Sequence, residues 1–306
     1  MMRVAVIGLG WMGKVHLRNY SEMQGVEVAG VADIDPEALE EARERFNVPT
    51  FTSVEELLEQ NLGAISVCVP TSLHHATGMA VIQRGVPLLI EKPLAATVAE
   101  GRELVETAEK AGVPLMVGHI ERFNPAVGRV KELIGDDAIS ITIERVGPYP
   151  PRIQDVGVVK DLGSHDVDLV RWLTGSEYES VYAVTSTSIG KHEDTALITA
   201  RMKNGVLANI STNWITPYKS RTIHVACKSK YIEANLINQE VKEFSSFSTY
   251  DKSYSVREWP LVWREPVKQE LTAFLAALRQ GTEVPITGRD GLKALEAIEK
   301  VFECAC

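Results

Sequence analysis

Arg3-Val4-Ala5-Val6-Ile7-Gly8-Leu9-Gly10-Trp11-Met12-Gly13 joins a short apolar run to a turn with three glycines, and a helical pattern follows through Tyr20. The apolar, β-branched run is typical of a buried parallel strand. In a dinucleotide-binding turn, Gly8 allows the tight bend, Gly10 lets the backbone approach a pyrophosphate, and Gly13 lets helix and strand pack closely. The phosphates then lie against the N–H groups at the start of the helix. We therefore predict that a nucleotide cofactor contacts Gly8, Leu9, Gly10, Trp11, Met12 and Gly13.

An acidic residue completes this pattern. A second apolar run, Val26 to Ala32, ends in Asp33, twenty residues beyond Gly13. A carboxylate at this place accepts hydrogen bonds from the adenosine ribose hydroxyls and repels the additional 2′-phosphate of NADP. The following Ile34-Asp35-Pro36 offers no arginine for that phosphate. The predicted cofactor is therefore NAD, with NADP less favoured.

Length and composition limit the class of protein. The 306 residues are enough for two domains, and 45% hydrophobic with 24% charged residues is ordinary for a soluble globular protein. A formal net charge of −9 argues against nucleic acid or an anionic membrane as a partner. No apolar run reaches membrane length, no signal-peptide pattern opens the chain, and the four cysteines lack metal-ligand spacing. We expect a cytoplasmic protein without a bound metal.

Strand and helix patterns alternate through roughly the first 120 residues, as a doubly wound parallel sheet requires. Helices are predicted at Pro36–Phe46 and Val98–Ala111, and Ser53 with Glu56 is a predicted capping box. Ligands of such sheets bind beyond the carboxyl ends of the strands. We therefore add residues near the strand ends to the predicted cofactor site: Pro70, Thr71, His74, Glu91, Lys92 and Arg122.

The pattern changes after about Phe123. Near-alternation, as in Ile139-Ser140-Ile141-Thr142-Ile143, indicates a mostly antiparallel sheet with one buried face, and Lys203-Asn204-Gly205 is a hairpin-turn signal. We predict a Rossmann domain over 1–122 and an α+β substrate-binding and oligomerisation domain over 123–306. The last helices of the chain can pack back on the first domain. The face of this sheet that its own core does not need can cover the cofactor or form a subunit interface.

Lys92 stands at the end of a predicted strand, directly before Pro93. The proline restricts the backbone of Lys92 to an extended conformation, which holds the side chain in one direction at the cofactor crevice. A lysine held there can share a proton with an alcohol and polarise a carbonyl. A solvated surface lysine is the alternative, and on local sequence alone it is the commoner case.

The second candidate stretch is Lys160-Asp161-Leu162-Gly163-Ser164-His165-Asp166-Val167-Asp168. Ser164 is a predicted N-cap, so that His165 begins a helix. An imidazole near a helix N-terminus stays neutral and can take a proton. Asp161 can orient the ring or contact substrate hydroxyls. A capping or core histidine is an equal alternative for His165, Asp166 and Asp168 are predicted first-turn helix acids, and His74 with His75 is most simply the start of another helix.

Three motifs together resemble a known family. Val4 to Gly13, Glu91-Lys92-Pro93 and Asp161-x-Gly163-x-His165-Asp166 are similar, in this order and at these separations, to the Gfo/Idh/MocA oxidoreductases. The resemblance extends over nearly the whole chain. It implies an NAD(P)-dependent enzyme that oxidises or reduces a sugar-like alcohol. It also implies that the second domain supplies the sugar pocket and, through its sheet, the interface of a homo-oligomer, a dimer or a tetramer. Lys92 would hold the reacting oxygen, His165 would be the general acid/base, and Asp161 would assist it or bind substrate.

Further segments are similar to the branch of this family that contains UDP-N-acetylglucosamine 3-dehydrogenases. They are Gly118 to Pro125, Val158 to Leu162 and Asn213 to Pro217. The resemblance implies that C3 of the sugar loses hydride to NAD while His165 or Lys92 takes the hydroxyl proton. The predicted substrate residues are Lys92, Arg122, Asn124, Arg152, Lys160, Asp161 and His165. Among them Arg122, Arg152 and Lys160 are candidate diphosphate ligands, with solvated surface charge as the alternative, more so for Arg152 than for Arg122.

Two other functions remain open at this point. A dehydrogenase of a free sugar or an inositol uses the same chemistry and the same residues. A non-catalytic nucleotide-sensing regulator needs the cofactor site but no proton-transfer groups. The joint presence of Lys92, Asp161 and His165 therefore favours an enzyme over a sensor.

Overall fold

The structure is a computed structural model that describes residues 1–150 and 156–304. The chain divides into two compact units, Met1–Ile120 with Val267–Leu295 and Glu121–Pro266 with Glu296–Cys306. Among the described residues, no helix combines the length and the apolar character needed to cross a bilayer.

Each unit is built around one sheet. The strands are β1 (Met2–Ile7), β2 (Val26–Ala32), β3 (Thr50–Phe51), β4 (Ala64–Val67), β5 (Leu88–Glu91), β6 (Leu115–Gly118), β7 (Ala138–Pro148), β8 (Tyr178–Ser186), β9 (Thr195–Met202), β10 (Leu207–Asn213), β11 (Ile215–Cys227), β12 (Lys230–Asn235), β13 (Glu240–Ser245) and β14 (Val256–Trp259). The α-helices are α1 (Trp11–Glu22), α2 (Pro36–Phe46), α3 (Val54–Leu58), α4 (His74–Gln83), α5 (Val98–Ala111), α6 (Pro125–Leu133), α7 (Ser164–Thr174), α8 (Pro266–Gln280) and α9 (Gly288–Glu303).

The sheet of the first unit has six parallel strands in the order β3-β2-β1-β4-β5-β6. All residues of β4, β5 and β6 are buried, as expected for parallel strands covered on both faces. The chain runs outward from β1 to β3 and then returns to continue on the other side of β1. This reversal between β1 and β4 is the switch point beyond which doubly wound sheets bind their ligands.

Local signals at the helix ends explain several predicted boundaries. The predicted helices Pro36–Phe46 and Val98–Ala111 are confirmed. A full capping box lies at Thr97 and Glu100, where backbone and side chain bond in both directions at 3.1 and 3.2 Å. At Ser53, where the sequence predicts a capping box with Glu56, the hydroxyl accepts a hydrogen bond from the N–H of Glu56 at 3.4 Å.

The sheet of the second unit has eight strands in the order β14-β13-β12-β11-β7-β10-β9-β8. Neighbouring strands are antiparallel except β7 and β10, which confirms the predicted mostly antiparallel sheet. The predicted turn Lys203-Asn204-Gly205 joins β9 to β10, and Gly205 has a φ of +89°. Sequence patterning did not predict β13 and β14.

The second sheet has one buried and one open face. Along β9, for example, Ala196 and Ile198 are in the core while Leu197 between them is 54% exposed. Other large apolar residues next to core positions are also exposed: Tyr182, Val184, Leu207 and Tyr231. The predicted use of this face as a subunit interface stays a prediction.

Candidate active site

The glycine-rich turn after β1 shows why each glycine is needed. Gly8 has a φ of +90°, in the left-handed region that glycine tolerates. A Cβ on Gly13 would lie 1.8 Å from the carbonyl oxygen of Gly8, so no side chain fits between α1 and the turn. A Cβ on Gly10, by contrast, would meet none of the described atoms within 4 Å. Packing within the protein therefore accounts for Gly8 and Gly13 but not for Gly10.

The start of α1 fits the diphosphate of a dinucleotide. Among the described residues, no side chain caps α1 at Gly10, and its first turn contains no acid. The N–H groups of such a turn attract anions because they form the positive end of the helix dipole. The open space at Gly10 lets a phosphate approach that end, and Trp11 beside it is 67% exposed. Leu9 has a core side chain, 2% exposed, so it offers a ligand only its backbone.

Asp33 ties the end of β2 to this turn. Its Oδ2 accepts a hydrogen bond from the backbone N–H of Leu9, and Oδ1 accepts one from the N–H of Asp35 at 2.9 Å. Each carboxylate oxygen has two lone pairs, so these bonds leave acceptor capacity for ribose hydroxyls. The half-buried carboxylate thus combines a structural bond with the predicted cofactor contact.

His74 joins the segments that follow β4 and β5. Its buried imidazole places Nδ1 2.8 Å from the carbonyl oxygen of Pro93 and Nε2 3.0 Å from that of Val69. Burial lowers the pKa of His74, so the neutral ring donates to one carbonyl at a time. The ring braces the turn with Pro70 and Thr71 against the segment with Lys92. A direct contact between His74 and the cofactor stays a prediction.

Glu91 and Lys92 end the neighbouring strand β5. Glu91 is 6% exposed, its Oε1 lies 3.1 Å from Nε2 of His16, and its Oε2 accepts the N–H of Lys92 at 3.2 Å. Lys92 is half-buried, and the peptide bond to Pro93 is cis. The geometry favours Glu91 as a support for the Lys92 backbone over the predicted direct contact with the cofactor.

In the second unit, Asp161 and His165 share one continuous helical segment. Val159–Gly163 is a π-helical turn that leads directly into α7. Both side chains are half-buried, and a separation of four residues places them on one side of the segment. π-Helical turns next to α-helices are frequent at functional sites. This arrangement agrees with the proposed pairing of an imidazole with a carboxylate.

The structure corrects the predicted start of α7. Gly163 occupies the N-cap position, and the hydroxyl of Ser164 donates to the carbonyl oxygen of Asp161 at 3.2 Å. The prediction that Ser164 is the N-cap of this helix is therefore wrong. The preceding π-helical turn already occupies the place where a free helix start was expected, so the predicted effect of a helix N-terminus on His165 does not apply.

Asp166, predicted as a first-turn helix acid, does lie in the first turn of α7, and it also belongs to a buried charge network. Arg145, 1% exposed, donates from Nε to Oδ1 of Asp166 at 2.8 Å and from Nη1 to Oε1 of Glu121 at 2.7 Å. Arg221, its partner across β7 and β11, donates to the same Glu121 oxygen at 3.3 Å. Burial raises the pKa of Asp166 to about 6, although Arg145 opposes this effect.

Sequence reasoning missed Arg145 and Arg221, and also the interior position of Glu121. The only available signal was a charged residue on each of two strands that otherwise alternate apolar and polar. Two arginines paired across strands repel each other unless acids lie between them. Glu121 and Asp166 supply those acids from other parts of the chain, which a pattern along one strand cannot reveal.

Arg122, predicted to contact the cofactor and the substrate diphosphate, forms a buried ion pair. Its Nε and Nη2 donate to the two carboxylate oxygens of Asp168 at 2.7 and 2.6 Å, and its guanidinium lies 5.8 Å from the ring centroid of Trp172. The side chain is 6% exposed. The first-turn position predicted for Asp168 is wrong, because Asp166 is the acid in the first turn of α7. Any phosphate would have to compete with Asp168 for Arg122.

Asn124, a predicted substrate residue, is the N-cap of α6. Its Oδ1 accepts the N–H of Ala126 at 3.0 Å, and its Nδ2 donates to the carbonyl oxygen of Leu236 at 3.0 Å and to Glu121 at 3.2 Å. The residue is 3% exposed. The structure thus gives the amide of Asn124 internal partners in place of the predicted substrate.

Lys160 and Arg152 are the other two basic residues predicted to bind the substrate diphosphate. The half-buried Lys160 places Nζ 5.8 Å from the ring centroid of Phe302, and Arg152 lies outside the described residues. Lys92 belongs to the first unit, whereas Asp161 and His165 belong to the second. That Lys92 and His165 meet over a nicotinamide ring therefore stays a prediction.

Two profiles of one protein family match the chain. The Gfo/Idh/MocA profile described as an oxidoreductase family with an NAD-binding Rossmann fold matches residues 2–119, and the profile of the Gfo/Idh/MocA C-terminal domain matches residues 138–233.

Characterised relatives align over almost the whole chain. UDP-N-acetylglucosamine 3-dehydrogenase of Acidithiobacillus ferrooxidans is 29% identical over 303 residues, 98% of this chain and 96% of the relative. Myo-inositol 2-dehydrogenase of Thermotoga maritima is 27% identical over 316 residues, covering 96% and 93%. A solved structure of the Acidithiobacillus enzyme superposes with a TM-score of 0.93 at 28% identity, over 99% of this chain and 97% of that one.

Proposed function

The chain belongs to the Gfo/Idh/MocA oxidoreductase family, and from that premise we propose that it oxidises C3 of UDP-N-acetylglucosamine and transfers the hydride to NAD. It is a nicotinamide-dependent dehydrogenase of CH–OH groups. The observation that carries the proposed substrate is the similarity to a UDP-N-acetylglucosamine 3-dehydrogenase in both sequence and structure along nearly the full length of each chain.

The first unit supplies the proposed cofactor site. The turn at Gly10 and the start of α1 would hold the diphosphate, and Asp33 would accept hydrogen bonds from the ribose hydroxyls. The carboxylate of Asp33 favours NAD over NADP because it repels a 2′-phosphate. When bound, NAD supplies the nicotinamide carbon that accepts the hydride.

Proton transfer is assigned to three side chains. Lys92 donates a hydrogen bond to the reacting oxygen and polarises the C3–O bond as it becomes a carbonyl. His165 takes the hydroxyl proton. Asp161, four residues earlier on the same helical segment, orients the imidazole or binds a neighbouring sugar hydroxyl. Each turnover converts one alcohol and NAD⁺ into a ketone, NADH and a proton.

The second half of the chain, residues 123–306, is proposed to carry the sugar-nucleotide pocket and the surface of a homo-oligomer. Lys160 and Arg152 are the proposed diphosphate ligands. We do not include Arg122 and Asn124 among these ligands. The guanidinium of Arg122 is hydrogen-bonded to Asp168, and the side chain of Asn124 caps the N-terminus of α6.

Oxidation of a free inositol or sugar is the second candidate function. Identity to the myo-inositol 2-dehydrogenase, 27%, is close to the 29% found with the sugar-nucleotide enzyme. The two candidates share Lys92, Asp161 and His165 but differ in the need for diphosphate ligands, so a substrate comparison separates them.

The test measures NADH formation by the purified chain with UDP-N-acetylglucosamine, UDP-glucose, myo-inositol and glucose. Hydroxylamine is added to capture the ketone as an oxime and pull the reaction forward, and mass spectrometry locates the loss of two hydrogens. The proposal expects turnover of UDP-N-acetylglucosamine with oxidation at C3. Turnover of myo-inositol alone would assign the second function instead.

A further inference from the structure

Three ionisable side chains of the first unit meet in a buried cluster that the mechanism above does not use. His16 of α1, Glu91 at the end of β5 and Glu270 of α8 are 0%, 6% and 0% exposed. One nitrogen or oxygen atom from each lies within 4.8 Å of the atoms from the other two. The distance between Nε2 of His16 and Oε1 of Glu91 is 3.1 Å.

The two carboxyl groups of this cluster have unequal partners. Glu91 has two hydrogen-bond partners: Nε2 of His16 lies 3.1 Å from its Oε1, and the backbone N–H of Lys92 donates to its Oε2. Neither carboxyl oxygen of Glu270 has a hydrogen-bond partner within the described part of the chain. Two buried carboxyl groups this close cannot both be ionised, and hydrogen bonds to one of them decide which carries the charge. The geometry places the charge on Glu91 and a proton on Glu270.

The electrostatics of the surroundings agree with this assignment. Burial raises the pKa of Glu270 well above its ordinary value, and the charge of Glu91 raises it further. Burial also opposes the ionisation of Glu91, but His16 and Lys92 outweigh it and lower the pKa of that carboxyl. Burial raises the pKa of both neighbouring acids, Tyr20 and Cys68, so they are neutral near pH 7. The titratable groups that face the two carboxyls are His16, Tyr20, Cys68, His74 and Lys92.

We propose that Glu270 holds a proton at neutral pH, which keeps the negative charge of the cluster on Glu91, and that Glu91 in turn fixes the backbone of Lys92. Glu270 is then a positioning residue that acts on Lys92 through Glu91. The link to Lys92 rests on the proposed function, whereas the proton on Glu270 does not. The two parts therefore have separate tests.

The proton on Glu270 is tested without any substrate. Infrared difference spectra of wild type and E270Q at neutral pH are expected to show the C=O stretch of a protonated carboxyl in wild type only, and ¹³C labelling of glutamate should shift that band. In E91Q, where the neighbouring charge is gone, the same band should disappear at a lower pH than in wild type. Absence of the band, or a midpoint that E91Q leaves unchanged, would overturn the assignment.

The effect on Lys92 is tested by pH profiles of kcat. E270Q replaces the acid by a neutral group of the same size, so its profile should match wild type and kcat should stay within about twofold. E270A also leaves Glu91 as the only acid of the pair, so its pH profile should match wild type too, and a fall in kcat that E270Q does not share would report lost packing and not a lost charge. E91Q should lower kcat about tenfold or more and shift the profile, since small displacements of a reacting group are costly.

The remaining outcomes are also decisive. A shifted profile in E270Q would mean that Glu270 is ionised during turnover and would refute the proposal. Elemental analysis that finds one equivalent of a divalent cation, lost in E270Q, would refute it as well, because both carboxyls would then be metal ligands. If no substrate turns over but the infrared band behaves as expected, the proposed function fails and the proton on Glu270 stands.

Discussion

The carboxylate of Asp33 accepts a hydrogen bond from the backbone N–H of Leu9, which links the end of β2 to the glycine-rich turn after β1. The residue expected to select the cofactor therefore also shapes the loop on which the cofactor lies. A substitution at this position has two consequences, one for binding and one for stability, and a suitable pair of variants separates them.

Asp33→Asn retains an oxygen acceptor for Leu9 but removes the negative charge. We expect a fall in NAD affinity of about tenfold and a rise in the preference for NADP, because a hydrogen bond to a charged group is worth about 1.5–3 kcal/mol. Asp33→Ser combined with Ile34→Arg should move the preference further, since Ile34 is 90% exposed and an arginine there can reach a 2′-phosphate. Calorimetric titration with both cofactors measures the ratio. An unchanged ratio in both variants would leave Asp33 with a structural role only.

Gly10 and Gly13 form a matched pair for testing the cofactor site. Gly13→Ala should destabilise the protein by about 3 kcal/mol or more, because its Cβ would lie 1.8 Å from a carbonyl oxygen of the turn. Gly10→Ala should change the free energy of unfolding by less than about 1 kcal/mol, since its Cβ meets no described atom within 4 Å.

The affinity for NAD, unlike the free energy of unfolding, should depend more directly on Gly10 than on Gly13. Gly10→Ala should remain folded and yet lose at least about tenfold in NAD affinity, because the methyl group occupies the space that the diphosphate needs. Urea unfolding and NAD titration on the same preparation give both quantities. Normal NAD affinity in Gly10→Ala would place the diphosphate elsewhere.

The fold was predictable from the sequence where local patterns determine it. The apolar run before Gly8, the proline-initiated helix Pro36–Phe46 and the turn at Gly205 depend on neighbours within a few residues, and the structure confirms them. The same holds for the mostly antiparallel second sheet, since alternation with period two is visible along each longer strand.

The charged interior of the second unit was not predictable in this way. Patterning assigns Asp166 and Asp168 to the first turn of a helix, but it gives no sign of their buried partners Arg145 and Arg122, which come from segments more than twenty residues earlier in the chain. Ser164 has the local signature of an N-cap, yet the π-helical turn before it continues the helix. In this region the contacts between distant segments determine the structure, and a single sequence does not show those contacts.

Asp166 should make stability depend on pH in a specific direction. Burial raises its pKa to about 6 in the folded protein, so the folded state holds the proton more tightly than the unfolded state. This contribution to stability is present below the ordinary pKa of an aspartate and is lost as the pH rises through about 6. Asp166→Asn removes the titration.

Relative to wild type, Asp166→Asn should therefore gain stability between pH 4 and pH 7, by up to about 3 kcal/mol. Urea unfolding at several pH values measures the difference between the two proteins, in which other titrating groups cancel. A difference that instead grows in favour of wild type as the pH rises would show that Arg145 keeps the carboxyl of Asp166 ionised.

Lys92, although it is also predicted to line the cofactor site, is expected to contribute to the chemical step and little to the affinity for NAD. Lys92→Ala should lower kcat by about 100-fold or more, the usual range for loss of a proton-transfer group, while NAD affinity stays within about twofold. Lys110→Ala, at an exposed position in the last turn of α5, is the control for removing a lysine from the first unit. Full activity in Lys92→Ala would remove Lys92 from the mechanism.

Lys92 and His165 belong to different units of the chain, and a double-mutant cycle tests whether they act on the same reacting oxygen. If both serve one proton-transfer step, Lys92→Ala and His165→Ala should each lower kcat strongly, and the double variant should be little worse than either single variant, because groups that act as a unit are not additive. Losses that multiply would indicate two independent steps. Single-turnover measurements at saturating substrate keep product release out of the comparison, so the cycle reports on the chemical step alone.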